Sequence, residues 1–179
     1  AVDGKALDSE YVRVLVESVA AAEAMDPMEA VDIFPLAIEL LRLLMVDDPH
    51  WRLSLIAALD RYVETCLYML DDEEGLAILD ELDGLLAVDP TIEAAVKRIS
   101  CKRLALPLLP ESDGYERVLQ ASVELREMVA SIRLKAKSVG QELAVDQLDA
   151  LMCAEVDSHL QSAIALDKRN MSPQALEEL

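Results

Sequence analysis

The chain has 179 residues, of which 53% are hydrophobic and only 3% aromatic, and its formal net charge is −19. Few aromatic residues, five Gly and seven Pro exclude a turn-rich all-β fold, whereas abundant Leu and Ala favour helix. A chain this acidic is also a poor match for nucleic acid or an anionic membrane, because both are held by basic surfaces that neutralise phosphate. We therefore predict an all-α, multi-helix bundle of about six to eight helices.

Three Asp-Pro pairs mark predicted helix starts in the first half of the chain. Asp can accept hydrogen bonds from the free N–H groups of a first turn, and Pro fits the first helical position, where no N–H is needed. We expect helices to begin within about two residues of Pro27, Pro49 and Pro90. An earlier helix is predicted over residues 8–25, and Pro35 predicts a break or kink in the turn before it.

The stretch 48–70 is predicted to form the central helix of the fold. Its apolar residues recur at three- and four-residue steps over an arc too wide for one contact surface, so we expect packing on more than one side. Eight residues of this helix and its neighbours are expected to be nearly inaccessible: Leu40, Leu44, Leu55, Leu59, Val63, Leu82, Leu86 and Leu125.

The second half continues the helical pattern after two further predicted helices, 72–88 and 90–106. In domain terms, residues 1–106 form an acidic helical half, 107–114 a Pro-rich loop, and 115–179 two long helices plus a short tail helix, in the same domain or closely packed. Gly140 either separates the two long helices or is a weak point in one very long helix.

A repeat architecture is the alternative to a plain bundle. The prolines of the Asp-Pro pairs are separated by 22 and then 41 residues, which is not a fixed period. A divergent helical-hairpin array of tetratricopeptide type therefore stays the second choice.

Charge is unevenly distributed along the sequence. Residues 1–93 hold 22 acidic against 5 basic residues, a net of −17, whereas residues 94–179 hold 13 against 11, a net of −2. Four bases fall on a shared side of one predicted helix: Lys97, Arg98, Lys102 and Arg103. They are the candidate partner-binding residues, because such asymmetry can steer an acidic partner. The alternative is that they pair with the chain's own Asp and Glu.

No pattern in the sequence indicates a catalytic, metal or cofactor site. Glu155 and His159 are one helical turn apart, but di-metal bundles need further inward carboxylates and a second motif. His50 has no nucleophile near it in sequence, and the acidic run 71–74 lacks the alternating ligands and central Gly of a calcium loop. We expect no enzymatic activity, no metal and no cofactor.

Three Cys, at 66, 101 and 153, are far apart and without metal-ligand spacing, which favours reduced thiols in a reducing compartment. The apolar runs are too short for a membrane span, so we expect a soluble chain that does not span a membrane. The first residue is Ala1, which leaves open a cytoplasmic protein or one in an organelle whose targeting segment was removed.

These observations predict a non-enzymatic helical adaptor, scaffold, linker subunit or assembly factor that docks partner proteins within a larger complex. Two alternatives stay open: a helical chaperone with a partner-binding groove, and a small-molecule or pigment-binding bundle. The last would need an internal apolar pocket lined by Met residues, at 25, 28, 45, 69, 128 and 152.

Overall fold

A computed structural model describes residues 27–109 and 115–168 of the chain. Over these residues the fold is all-α, with six α-helices and no strand, so the predicted class is confirmed. The helices are α1 (Pro27–Asp47), α2 (Arg52–Cys66), α3 (Asp72–Leu86), α4 (Ile92–Ala105), α5 (Glu116–Ser138) and α6 (Val145–Lys168). The helix predicted over 8–25 and the predicted tail helix lie outside the described residues.

The chain forms two compact units, Ala1–Asp71 and Asp72–Leu179. In the first unit α1 packs on α2, and in the second α3 packs on α4 and α5 packs on α6. The α4 helix also packs on both α5 and α6. The helices before and after the predicted Pro-rich loop, α4 and α5, therefore belong to the same unit.

All three predicted helix starts are confirmed. The α1 helix begins at Pro27, and a 3₁₀ turn that begins at Pro49 leads directly into α2. At this start Asp48 Oδ1 accepts a hydrogen bond from the backbone N of His50 at 3.0 Å, which lowers the pKa of the Asp48 carboxyl. The α4 helix starts two residues after Pro90, where the Thr91 hydroxyl accepts from Ala94 N at 3.2 Å.

The α1 helix runs through Pro35 without interruption, so, of the break or kink predicted in the turn before Pro35, the break is wrong. Pro removes one backbone N–H and crowds the preceding turn. The helix is held on both sides of that turn, because Phe34 and Ile38 are buried. The Phe34 ring lies 5.4 Å from the ring of Tyr62 in α2. Packing against α2 therefore outweighs the local preference of Pro.

The α2 helix buries one face rather than several. Its buried residues follow a single series of three- and four-residue steps: Leu55, Ala58, Leu59, Tyr62, Val63 and Cys66. Leu53 on another side is 72% exposed, so the prediction of packing on more than one side is wrong for the described structure. Apolar residues outside the buried series widened the arc in the sequence without adding a second contact surface.

Six of the eight residues predicted to be inaccessible are buried, and the two in α1 are not. Leu40 and Leu44 are only partly buried. The buried face of α1 instead consists of Ala30, Phe34, Ala37, Ile38 and Leu41. The periodicity therefore located the helix correctly but assigned the wrong residues to its inner face, for example Leu40 in place of its neighbour Leu41.

The core of the second unit lies between α4, α5 and α6. It is built from ten buried apolar residues: Ile92, Val96, Ile99, Leu106, Leu125, Val129, Ile132, Ala136, Leu151 and Ala154. Gly140 ends the α5 segment with a φ of +66°, while Gln141 N donates to Ala136 O at 3.0 Å and Gly140 N to Lys137 O at 3.3 Å. This pair of bonds is a Schellman motif, so the alternative of one very long helix is wrong.

Candidate functional site

The basic residues of α4 meet the acidic face of α3. Arg98 Nε donates to Asp83 Oδ1 at 2.8 Å, and Lys102 Nζ lies 3.2 Å from Asp83 Oδ2. Lys102 is also 3.6 Å from Asp80. Asp83 is only 9% exposed, and two cations neutralise it there. These ion pairs therefore hold α3 against α4, and they balance the charge of the nearly buried Asp83 carboxylate.

The other two candidate bases are also engaged within the chain. Arg103 Nε lies 3.7 Å from Asp157 Oδ2 of α6, and Lys97 is partly buried and has an interaction of its own. These contacts are the kind that the internal-pairing alternative predicts. Their use as a partner-binding surface is not tested by the geometry and stays a prediction.

The charge asymmetry along the sequence does not follow the two units. Residues 1–71 hold 14 acidic against 5 basic residues, a net of −9, and residues 72–179 hold 21 against 11, a net of −10. The step falls between α3, with six acidic residues and no base, and α4, with four bases and one acid. The change from acidic to basic residues along the sequence thus falls between two neighbouring helices that contact each other.

The α6 helix has its bulky apolar residues on the outside. Six of them are exposed, and we call them the outer stripe: Val145, Leu148, Met152, Val156, Leu160 and Ile164. At the positions with most exposure the fractions are 76% for Val145, 63% for Val156 and 57% for Met152. The buried face carries small residues instead, with Leu151 as its one bulky member: Leu151, Ala154, Ser158, Ser162, Ala163 and Ala165.

The outer stripe is continuous along the helix. Its members follow at one step of three and four steps of four residues, and side chains four positions apart lie one above the other with a drift of about 40°. From Val145 to Ile164 the stripe extends about 28 Å at the α-helical rise per residue. Exposed apolar rows of this extent are typical of surfaces that other molecules cover.

Each side of the outer stripe is bordered by an ion pair to a neighbouring helix. On one side Glu155 Oε2 is 2.9 Å from Arg133 Nη2 of α5, and on the other Asp157 pairs with Arg103 of α4. On its inner face, Ser162 Oγ accepts a hydrogen bond from Arg126 Nη1 of α5 at 3.3 Å. The orientation of α6 about its own axis is therefore held by polar contacts on two sides, toward α5 and toward α4, and the stripe stays outward.

The α1 helix also exposes apolar residues, but they form no continuous row. Met28, Leu36 and Leu43 are exposed, while Asp32 and Glu39 lie between them on the same side. Carboxylates within the row keep that surface hydrated. The outer stripe of α6 is the stronger candidate for a binding surface.

A cavity of about 260 Å³ lies at one end of the second unit. It is lined by Asp72, Leu106, Pro107, Leu109, Tyr115, Val118, Gln161, Ile164, Ala165 and Lys168. None of the six Met residues named for the pigment-binding alternative lines it. The volume is below the roughly 300–1,000 Å³ of typical ligand pockets. Two of its lining residues contact each other, because Lys168 Nζ is 5.3 Å from the Tyr115 ring centroid. This cavity gives the small-molecule alternative little support.

The remaining candidate residues lie apart from one another. Among the described residues, no three His, Cys, Asp or Glu side chains are grouped so as to hold a metal. His50 Nδ1 lies 2.7 Å from Asp48 Oδ1 at the start of α2, on the surface. Cys66 and Cys101 are buried and Cys153 is exposed on α6, and burial raises the pKa of the Cys66 thiol.

Sequence reasoning missed the outer stripe, although the signal was present. Residues 145–166 carry apolar residues at steps that fit two faces of one helix, one bulky and one of small residues. The size difference between those faces is visible in the sequence. Periodicity alone does not say which of the two faces is turned inward.

No protein-family model matches the chain, and comparisons with curated proteins and with solved structures also find no match. No helix within the described residues combines the length and the apolar character needed to cross a membrane.

Proposed function

We propose that the chain is a non-enzymatic helical adaptor that docks a partner protein on the outer stripe of α6. The observation that carries the proposal is the arrangement of α6, with bulky apolar residues outside and small residues inside. Removing a Val, Leu or Met side chain from water contributes roughly 1.5–3 kcal/mol when burial is complete. A row of six such residues therefore offers a partner a substantial gain on binding.

The form of the stripe favours a helix as its occupant. A row of side chains at four-residue steps is a ridge inclined to the helix axis, and such ridges pack into the grooves of a second helix. A length of about 28 Å matches a helix of about 19 residues. Helix-on-helix docking through anchors at three- and four-residue steps is a common mode of recognition.

A second copy of this chain is a poor occupant, because its charge opposes the contact. Each chain has a net charge of −19, and α6 itself carries five carboxylates against one Lys. Two α6 helices in contact would bring these carboxylates together around a surface that loses water. Like charges in that position cost several kcal/mol in protein interfaces, about the scale of the apolar gain.

The proposal is tested by crosslinking from the stripe. A photoreactive benzoylphenylalanine replaces Met152 in one variant and Leu134 in a matched control, since Leu134 is a 68% exposed residue of the neighbouring α5. Each full chain is exposed to extract of its source cells, and the crosslinked protein is identified and purified. We expect a protein that crosslinks from position 152 and not from 134.

Binding of the purified protein is then measured directly. Val156→Glu should weaken binding at least about tenfold, because it places a charge in the apolar contact, whereas Leu134→Glu should leave the affinity unchanged. Both positions are exposed, so both variants should keep the wild-type melting temperature. Equal binding to Val156→Glu and wild type, or no crosslink particular to position 152, contradicts the proposal.

A further inference from the structure

The charged residues that α6 itself carries are almost all of one sign. The α6 helix contains Asp146, Asp149, Glu155, Asp157 and Asp167, and its one basic residue, Lys168, is the last. These carboxylates are spread from the first turn of the helix to its end. Glu155 and Asp157 have cations from α5 and α4 beside them.

The acids near the start of the stripe are not neutralised in the same way. Asp146 and Asp149 are exposed, and neither forms an ion pair with the part of the chain that the structure describes. Asp149 lies on the stripe side of the helix, four residues after Val145 and three before Met152, and Asp146 lies beside it, three residues earlier. A partner that covers Val145 and Met152 must therefore come close to two carboxylates whose charge is not balanced.

Resting on the proposed function, we propose that the occupant of the outer stripe is an amphipathic helix whose apolar ridge is flanked by Lys and Arg. An apolar ridge alone would satisfy the stripe but leave Asp146 and Asp149 partly dehydrated and without counter-charge, which is costly. Basic flanks supply that counter-charge, speed encounter with a chain of net −19, and exclude acidic helices.

The segments of the chain outside the described residues do not have this chemistry. Residues 1–26 hold six acidic against two basic residues, a net of −4, residues 110–114 hold two acidic residues and no base, a net of −2, and residues 169–179 hold two against one, a net of −1. Because each of these segments repeats the sign of charge that α6 already carries, a different protein is the better occupant.

Three synthetic peptides of about 20 residues test the inference on the full chain. They share a Leu ridge at three- and four-residue steps and differ only in their flanks, which are Lys, Gln or Glu. Affinity is measured by fluorescence anisotropy for the wild type, Val156→Glu, Leu134→Glu and the double variant Asp146→Asn with Asp149→Asn. Each measurement is made at about 0.15 M and at about 1 M salt, where the screening length falls from about 8 Å to about 3 Å.

We expect the Lys-flanked peptide to bind about tenfold more tightly than the Gln-flanked one at the lower salt concentration, which corresponds to about 1.4 kcal/mol. The Glu-flanked peptide should bind most weakly, and the advantage of Lys should shrink at high salt. The double Asn variant should reduce that advantage and leave the Gln-flanked peptide unchanged. A purely structural role of the two Asp at the positive end of α6 would instead lower only the melting temperature.

The other outcomes separate this inference from the proposed function. If the three peptides bind the wild type with equal affinity and this binding is lost in Val156→Glu, the proposed docking surface is supported and the inference of a basic partner is overturned. If no peptide shows binding that depends on Val156, both ideas fail. Self-association of the wild type that disappears in Val156→Glu, measured by sedimentation equilibrium, would assign the stripe to a second copy of the chain and overturn both.

Discussion

The basic side of α4 and the outer stripe of α6 lie in the same compact unit, but only the first is matched by contacts within that unit. The α4 bases that the sequence emphasises are matched within the unit, where Arg98 and Lys102 share the nearly buried Asp83. The six residues of the outer stripe are instead 39–76% exposed. A charged cluster can be neutralised by the adjacent helix, whereas apolar surface stays unsatisfied until something covers it. Uncovered apolar surface is thus the better guide to a binding function here.

The largest expected effect comes from reversing the charge of the α4 bases. Lys97, Arg98, Lys102 and Arg103 changed together to Glu would place like charges against Asp83 and Asp157. We expect the free energy of unfolding in urea to fall by about 3–5 kcal/mol, the scale for breaking a buried ion pair. Binding of the Lys-flanked peptide per folded molecule should not weaken, because the substitutions only add negative charge to the chain.

Two further variants keep that comparison interpretable. Arg98→Glu alone tests the Asp83 contact if the fourfold variant does not fold, and Lys137→Glu, an exposed residue of α5, controls for the change in net charge with an effect within about 0.5 kcal/mol. A lower association rate with unchanged stability would instead establish α4 as a docking surface.

Adjacent residues of α6 allow a smaller and sharper test of its two faces. Leu151→Ala removes a fully buried side chain from the core and should destabilise the chain by about 2–5 kcal/mol. Met152→Ala removes an exposed one and should change the free energy of unfolding by less than about 0.5 kcal/mol while weakening peptide binding. The reverse order of stability effects would show that α6 is rotated, with the stripe inside.

The smallest expected effect is that of labelling or replacing the exposed thiol, which should not change the free energy of unfolding. Cys153 is exposed on α6 and should react quickly with a thiol reagent such as dithionitrobenzoate, whereas Cys66 and Cys101 should react only on unfolding. Burial raises the pKa of the Cys66 thiol. At a given pH a smaller fraction of Cys66 is therefore the reactive thiolate in the folded chain than in the unfolded chain. Cys153→Ser should abolish the fast reaction. Fast reaction of a second thiol in the folded protein contradicts the described burial.

Much of the fold could be predicted because its signals are local. The start at Pro49 depends on Asp48 and on the backbone two residues away, and the end of α5 depends on Gly140, which adopts a positive φ that favours glycine. The continuity of α1 could not be predicted in the same way. It depends on contacts such as that of Phe34 with Tyr62, which is far away in the sequence.

The sequence by itself determined the all-α class, the helix positions and the candidate bases on one side of α4, because caps, turns and periodicity act within a few residues. Only the tertiary structure decided that Arg98 and Lys102 face the acids of α3 and that Arg103 faces Asp157 of α6. It also decided which face of α6 is inside. Both faces of that helix are apolar in the sequence, and the small residues around Ala154 and Ser158 fill the inner face, where α6 packs on α4 and α5. The bulky residues were therefore left on the outside.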